Sequence, residues 1–217
     1  MDFNKARFNM VEQQIRPWDV LDFDLLDALE SIPRELFVSQ EQQGYAYADL
    51  PLKLDNGSMM LEPKIVARMV QGLTLSKTDR VMEIGTGSGY ATAVLATLVD
   101  SVQTYDVDEQ QLSRAQAVLQ SLNFDNIQFV AEDGFANSQP EAKYDAIYVG
   151  GSLPEVPEQL KQQLADDGRL VVVVGGEPVQ RCLQITRNGN EFSQKTLFDT
   201  LVTPLTAKAK KPSKFQF

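Results

Sequence analysis

Residues 81–90 read VMEIGTGSGY, with glycines at 85, 87 and 89 between a short apolar run and a helical one. Glycine tolerates the tight backbone such a turn requires and lets a ligand approach the main chain. The first amides of the following helix add unspent donors. A turn of this kind, placed after a strand and before a helix, can cradle a nucleotide-like ligand. Three carboxylates accompany it: Glu83 two residues before the first glycine, Asp106 at the end of VQTYD, and Asp133 in AEDG, followed by Gly134. A carboxylate at a strand end can accept hydrogen bonds from both hydroxyls of a ribose. The sequence contains no histidine. That removes the commonest general base and the commonest metal ligand, so no metal site is expected. Chemistry falls to carboxylates, hydroxyls, backbone groups or a reactive cofactor.

The elements that must position these residues follow from periodicity. RVMEI, VQTYD, IQFVAED, YDAIYVGG and RLVVVVGG read as strands, and YATAVLATLV, EQQLSRAQAVLQSL and VPEQLKQQLADDG as helices between them. Strands alternating with helices predict an α/β fold with a mostly parallel sheet and helices on both faces. CLQITRNGNEFSQKTLF reads as two strands about a turn at Asn188-Gly189-Asn190, an antiparallel C-terminal hairpin. The N-terminal third reads as a helical extension. DFDLLDALESIP carries a helical apolar stripe ended by Pro33, and a second helix opens at Glu62-Pro63. Residues 1–217 are expected to form one domain. Its N-terminal helical and loop region covers 1–78, its ligand-binding core 79–206, and its loose basic tail 207–217.

Composition narrows the class. With 43% hydrophobic and 23% charged residues the chain is an ordinary globular one. A net charge of −10 without a broad basic stretch argues against nucleic acid as the partner. One cysteine excludes an intramolecular disulfide, and no apolar run reaches membrane-spanning length. A cytoplasmic protein is the expectation.

The ligand can be narrowed further. A dinucleotide fingerprint requires glycine at position 90, where Tyr90 stands. An acid followed by G-x-G-x-G is instead the pattern of S-adenosyl-L-methionine (SAM) methyltransferases. The candidate cofactor residues are Glu83, Gly85, Thr86, Gly87, Ser88, Gly89, Asp106, Asp133 and Gly134. SAM is the expected cofactor, with S-adenosyl-L-homocysteine (SAH) as its product.

The chain also resembles the protein-L-isoaspartate O-methyltransferase family. The resemblance is carried by MVEQQIR, IPRELFV, AYADLPL, EIGTGSGY, EDG, YDAIYV, GRLVVVVG and FDTLVTPL, and spans roughly residues 7–206. It implies a Rossmann-like fold and transfer of a methyl group from SAM to the carboxylate of L-isoaspartyl residues in damaged proteins, a repair reaction. The implied partner is a damaged protein or peptide. One stretch departs from the family. Where the family has G-Q-T-I-S-Q-P or a near variant, this chain reads GSMMLEP. Met59 stands at the usual threonine and Leu61 at the usual serine, so no catalytic residue transfers to that position. Asp49, Ser58, Met59, Met60, Leu61 and Glu62 form the expected substrate loop. The apolar replacement leaves two alternatives open: a SAM-dependent methyltransferase of the same fold with another acceptor, or a SAM-binding protein that catalyses nothing.

Overall fold

The computed structural model describes residues 1–136 and 143–205. The basic tail expected at 207–217 lies outside them.

The chain opens with helix α1 (Phe3–Asn9), capped by the Asp2 side chain, which accepts from the Lys5 amide. A π-helical turn, Met10–Ile15, follows. Helix α2 (Phe23–Ser31) is capped by Asp22 and buries Leu25, Leu26, Ala28 and Leu29. It ends before Pro33, whose ring cannot continue it. A ribbon of two strands, β1 (Leu52–Lys53) and β2 (Met59–Met60), then leads into α3 (Pro63–Gln71). Proline at the first position of α3 gives up a donor that has no helical partner anyway.

The Rossmann-like core begins at β3 (Arg80–Ile84) and continues through α4 (Tyr90–Leu98), β4 (Ser101–Tyr105), α5 (Glu109–Ser121) and β5 (Ile127–Val130). It is completed by β6 (Tyr144–Leu153), α6 (Glu158–Gln162), β7 (Leu164–Gly176), β8 (Val179–Asn188) and β9 (Glu191–Thr200). Seven strands form one sheet in the order β5-β4-β3-β6-β7-β8-β9. The pairs from β5 to β7 are parallel; β7–β8 and β8–β9 are antiparallel. The order reverses about β3, and its carboxyl end is where an open α/β sheet receives a ligand. Alternation along β3 places Val81 in the apolar cluster under the N-terminal helices and Met82 and Ile84 in the cluster on the opposite face.

Two expectations change. The helix read into VPEQLKQQLADDG is only five residues long, and β7 starts at Leu164. The reason is visible in the register. Tyr144 pairs with Leu164 and Ala146 with Arg169, so residues between them bulge, with Asp167 at φ 59. The segment before Gly57, part of the helical and loop region expected at 1–78, contributes the β1 strand of the ribbon. Strands of two residues are too short to show a period. The hairpin at Asn188-Gly189-Asn190 is present, with Gly189 at φ 63. Cys182 is fully buried on β8, and burial pushes its thiol up to about 12.

Candidate active site

The glycine turn sits on the carboxyl edge of β3 and is pinned to its neighbour. The amides of Gly85 and Thr86 both donate to the Tyr105 carbonyl of β4, at 2.8 and 3.2 Å. Gly85, Gly87 and Gly89 have φ of 89, 52 and 86, the left-handed region that glycine adopts without strain. Gly89 caps α4 and packs on Ala115 and Leu119 of α5.

Two joined cavities open at this edge. The larger, about 190 Å³, is lined by the glycine turn, Asp106, Val107, Asp108, Asp133, Gly134, Phe135, Ser58 and Met59, among others. The smaller, about 40 Å³, is lined by Met59, Met60, Leu61, Val66, Thr86, Ser88, Ala91, Tyr90 and Tyr148. Met59, Gly85, Gly87 and Gly150 border both.

Asp106 is one of the acids that line the larger cavity. Its Oδ2 accepts from the Gly87 amide and its Oδ1 from the Asp108 amide, each at 2.9 Å. Burial raises its pKa, and these two bonds oppose the shift. Asp133 accepts from the Phe135 amide at 3.0 Å. Gly134 presses against Ile84 and Tyr105 so closely that a side chain has no room.

Glu83 is elsewhere. It is fully buried beneath the turn and borders neither cavity. Its Oε2 accepts from Thr92 at 2.5 Å and Thr104 at 2.7 Å, so it braces α4 and β4 against β3. Thr86 joins this buried layer through Thr104 at 2.6 Å. Burial raises the Glu83 carboxyl from 4.5 to about 7. A raised carboxyl keeps its proton in the folded chain over a pH range where the unfolded chain has released it. Stability therefore falls as pH rises through that window, by about 3 kcal/mol in all. Glu83→Gln is expected to remove this loss, so that wild type and variant diverge between pH 5 and pH 8. Urea unfolding at the two pH values reads it; parallel profiles would refute it.

The substrate loop divides. Met59 faces both cavities, and Met60 and Leu61 wall the smaller one while belonging to the core. Ser58 donates to Asn56 at 2.6 Å on the rim of the larger cavity. Asp49 and Glu62 border neither. Asp49 pairs with Lys64 at 2.7 Å. Glu62 is half-buried at the start of α3; burial raises its pKa, Lys64 opposes the shift and Asp49 adds to it. Its charge is thus directed to the α3 surface and not into a cavity.

Other wall residues were not read as site residues from the sequence. Thr203, Pro204 and Leu205 close the larger cavity from the C-terminal side. They are strapped to β6: the Ser152 amide donates to Thr203 and the Leu205 amide to Ser152, and Gln180 accepts from Val202 at 2.7 Å. Tyr90 was read as a missing glycine and, with Tyr148, as part of stretches resembling the family, and Gly150 as part of a strand; none was read as a site residue.

The residues fit SAM. An open glycine turn, a carboxylate with spare lone pairs and the apolar Val107 and Phe135 line one cavity at the switch of strand order. The class is a Rossmann-like SAM-dependent methyltransferase fold. Comparison makes it particular. The sequence profile of the protein-L-isoaspartate(D-aspartate) O-methyltransferase family matches residues 6–210, and the chain belongs to that family. It is 39% identical over 205 residues to the protein-L-isoaspartate O-methyltransferase of Roseiflexus castenholzii, covering 94% of both chains. It is 37% identical over 210 residues to protein-L-isoaspartate O-methyltransferase 2 of Shewanella sediminis, covering 96% of this chain and 86% of that one. A Plasmodium falciparum structure described as a protein of this family in complex with SAH superposes with a TM-score of 0.81. It is 21% identical and covers 95% of this chain and 99% of that one, a likeness of fold.

Proposed function

We propose that this chain is a SAM-dependent O-methyltransferase acting on the free carboxylate of L-isoaspartyl residues in damaged proteins or peptides. The observation that carries the reading is the junction of the two cavities. The Gly85–Gly87 turn, where a cofactor belongs, meets the 59–61 loop at Gly150. Bound there, SAM supplies a methyl group already activated by its sulfonium. The acceptor carboxylate is already an anion at neutral pH. The chain's own residues therefore need only position and desolvate. Asp106 and Asp133 orient the nucleoside half, while Met59, Met60 and Leu61 exclude water from the acceptor side. The absence of histidine is no obstacle to this chemistry.

The chain is proposed to work as one domain, residues 1–78 supplying the acceptor side and 79–206 the cofactor side. Among the described residues no helix is long and apolar enough to cross a membrane. A cytosolic protein substrate, and no nucleic acid, accords with a net charge of −10.

Incubation with an isoaspartyl peptide and labelled SAM tests the reading. Methyl transfer is expected; none above blank at high enzyme concentration would overturn it. A second reading, methylation of a different and less acidic acceptor, is favoured by the apolar Met59-Met60-Leu61 wall. Robust transfer to the isoaspartyl peptide removes its support. Calorimetry separates both from a non-catalytic role, which gains only if neither SAM nor SAH binds.

A further inference from the structure

The smaller cavity is walled largely by apolar side chains, yet three strong hydrogen-bonding groups beside it are incompletely satisfied. Tyr90 and Tyr148 line it and are 1% and 0% exposed; neither hydroxyl finds an acceptor, and that of Tyr90 is met only by the Arg34 guanidinium. Behind Tyr90 lies Arg34, also 0% exposed, its guanidinium carbon 4.4 Å from the centre of the Tyr90 ring. Arg34 spends Nε on the Ala46 carbonyl at 2.8 Å and Nη2 on the Leu61 carbonyl at 2.7 Å. Its remaining interaction is with the Tyr90 side chain, and among the described residues no carboxylate pairs with it.

A buried cation without a counter-ion and two buried phenols without acceptors are each costly by themselves. Tyr90 and Tyr148 line one small cavity and Arg34 stacks on the Tyr90 ring behind it, and a small anion with two acceptor oxygens would complete them. A carboxylate meets both requirements. The low-polarity walls of Met59, Met60, Leu61 and Val66 strengthen its attraction to the guanidinium.

We propose that this cavity is the acceptor-carboxylate subsite, with the Tyr90 and Tyr148 hydroxyls donating to the two oxygens and Arg34 supplying the compensating charge. The proposal rests on the isoaspartyl reading and gives it the anion-binding groups that Met59 and Leu61 cannot provide. Burial pushes both phenols up, so each keeps its proton and remains a donor. Arg34 also fixes the Leu61 carbonyl, so the loop backbone and the subsite charge come from one side chain. Methylation turns the bound anion into a neutral ester, which no longer pairs with Arg34. Charge pairing thus holds substrate and releases product.

Tyr90→Phe and Tyr148→Phe remove one oxygen each and keep the ring packing. With an isoaspartyl peptide, each is expected to raise KM about tenfold, and the pair about a hundredfold, at little change in kcat. SAH affinity, measured by calorimetry, stays at the wild-type value and reports an intact fold. An unchanged KM in the double variant overturns the proposal. So does an equal loss of SAH affinity, which assigns the cavity to the cofactor's own amino-acid end. Wild-type enzyme that transfers nothing to the peptide condemns the isoaspartyl reading separately. Peptide binding to the SAH complex then still tests the subsite: binding by wild type that the double variant loses supports it, and no binding by wild type overturns it.

Discussion

Asp106→Ala is expected to weaken SAH binding by about a hundredfold, the result of losing two charge-assisted hydrogen bonds at about 1.5 kcal/mol each. An ionised carboxylate offers about four lone-pair directions. Two are spent on the Gly87 and Asp108 amides, both at 2.9 Å. Asp106 lines the larger cavity, so its remaining acceptor capacity is available there to the two hydroxyls of a ribose in the proposed cofactor site. Alanine removes both sets at once. It frees Gly87 from the conformation that keeps the turn open, and it leaves the ribose without its acceptors. Asp106→Asn separates the two effects. The amide keeps the shape and one acceptor oxygen but turns a donor toward a backbone amide or a ribose hydroxyl. Its loss is expected to be about tenfold, with thermal stability close to wild type. Calorimetry on the two variants reads the series. Asp106→Ala binding SAH within about threefold of wild type would remove this residue from the cofactor site.

Asp106 was legible because its meaning is local. It ends a strand that follows the glycine turn by one helix, and the topology of an α/β sheet then fixes which edge it reaches. The same logic brought Asp133, Gly134 and the turn itself to the wall of that cavity. Glu83 shows where local logic stops. Counting from the glycines places it beside the turn, but β3 is covered on both faces, so its side chain points into the core and braces Thr92 and Thr104. The loop 59–62 was legible as a place and not as a surface. Which residues face the cavities depends on α3 and on Arg34, whose hold on the Leu61 carbonyl spans 27 residues. Thr203–Leu205 lie still farther from the turn they cover. Their position depends on Ser152 and Gln180, and no short pattern encodes such pairings. Tyr90 and Tyr148 drew no functional reading because isolated aromatics in a helix and a strand ordinarily signify packing. Only their hydroxyls, which find no acceptor, distinguish them.

Gly150 gives the sharpest test of how closely the site depends on backbone contact. It lies on β6 within the shift of register between Tyr148 and Ser152, and it borders both cavities. A Cβ at this position would stand 2.8 Å from the Gly85 carbonyl oxygen and 3.4 Å from that of Ile84. Backbone cannot rotate aside as a side chain can. Gly85 is further held by its own amide, which donates to Tyr105 at 2.8 Å. Relief of the clash must therefore part β6 from β3 or break the turn from β4. Overpacking of this kind costs about 3 kcal/mol, which for a chain of this size lowers Tm by about 10 °C. Either movement also displaces Gly85 from the junction of the cavities, so Gly150→Ala is expected to lose more than about tenfold in SAH affinity. Gly176→Ala is the control, since nothing lies within 4 Å of the added carbon. It is expected to unfold within about 1 °C of wild type. A Gly150→Ala variant as stable as that control, with wild-type SAH affinity, would mean that the β3–β6 edge yields easily. The cofactor site would then owe its shape to Asp106 and the C-terminal strap, and the close approach of the two strands would have no part in it.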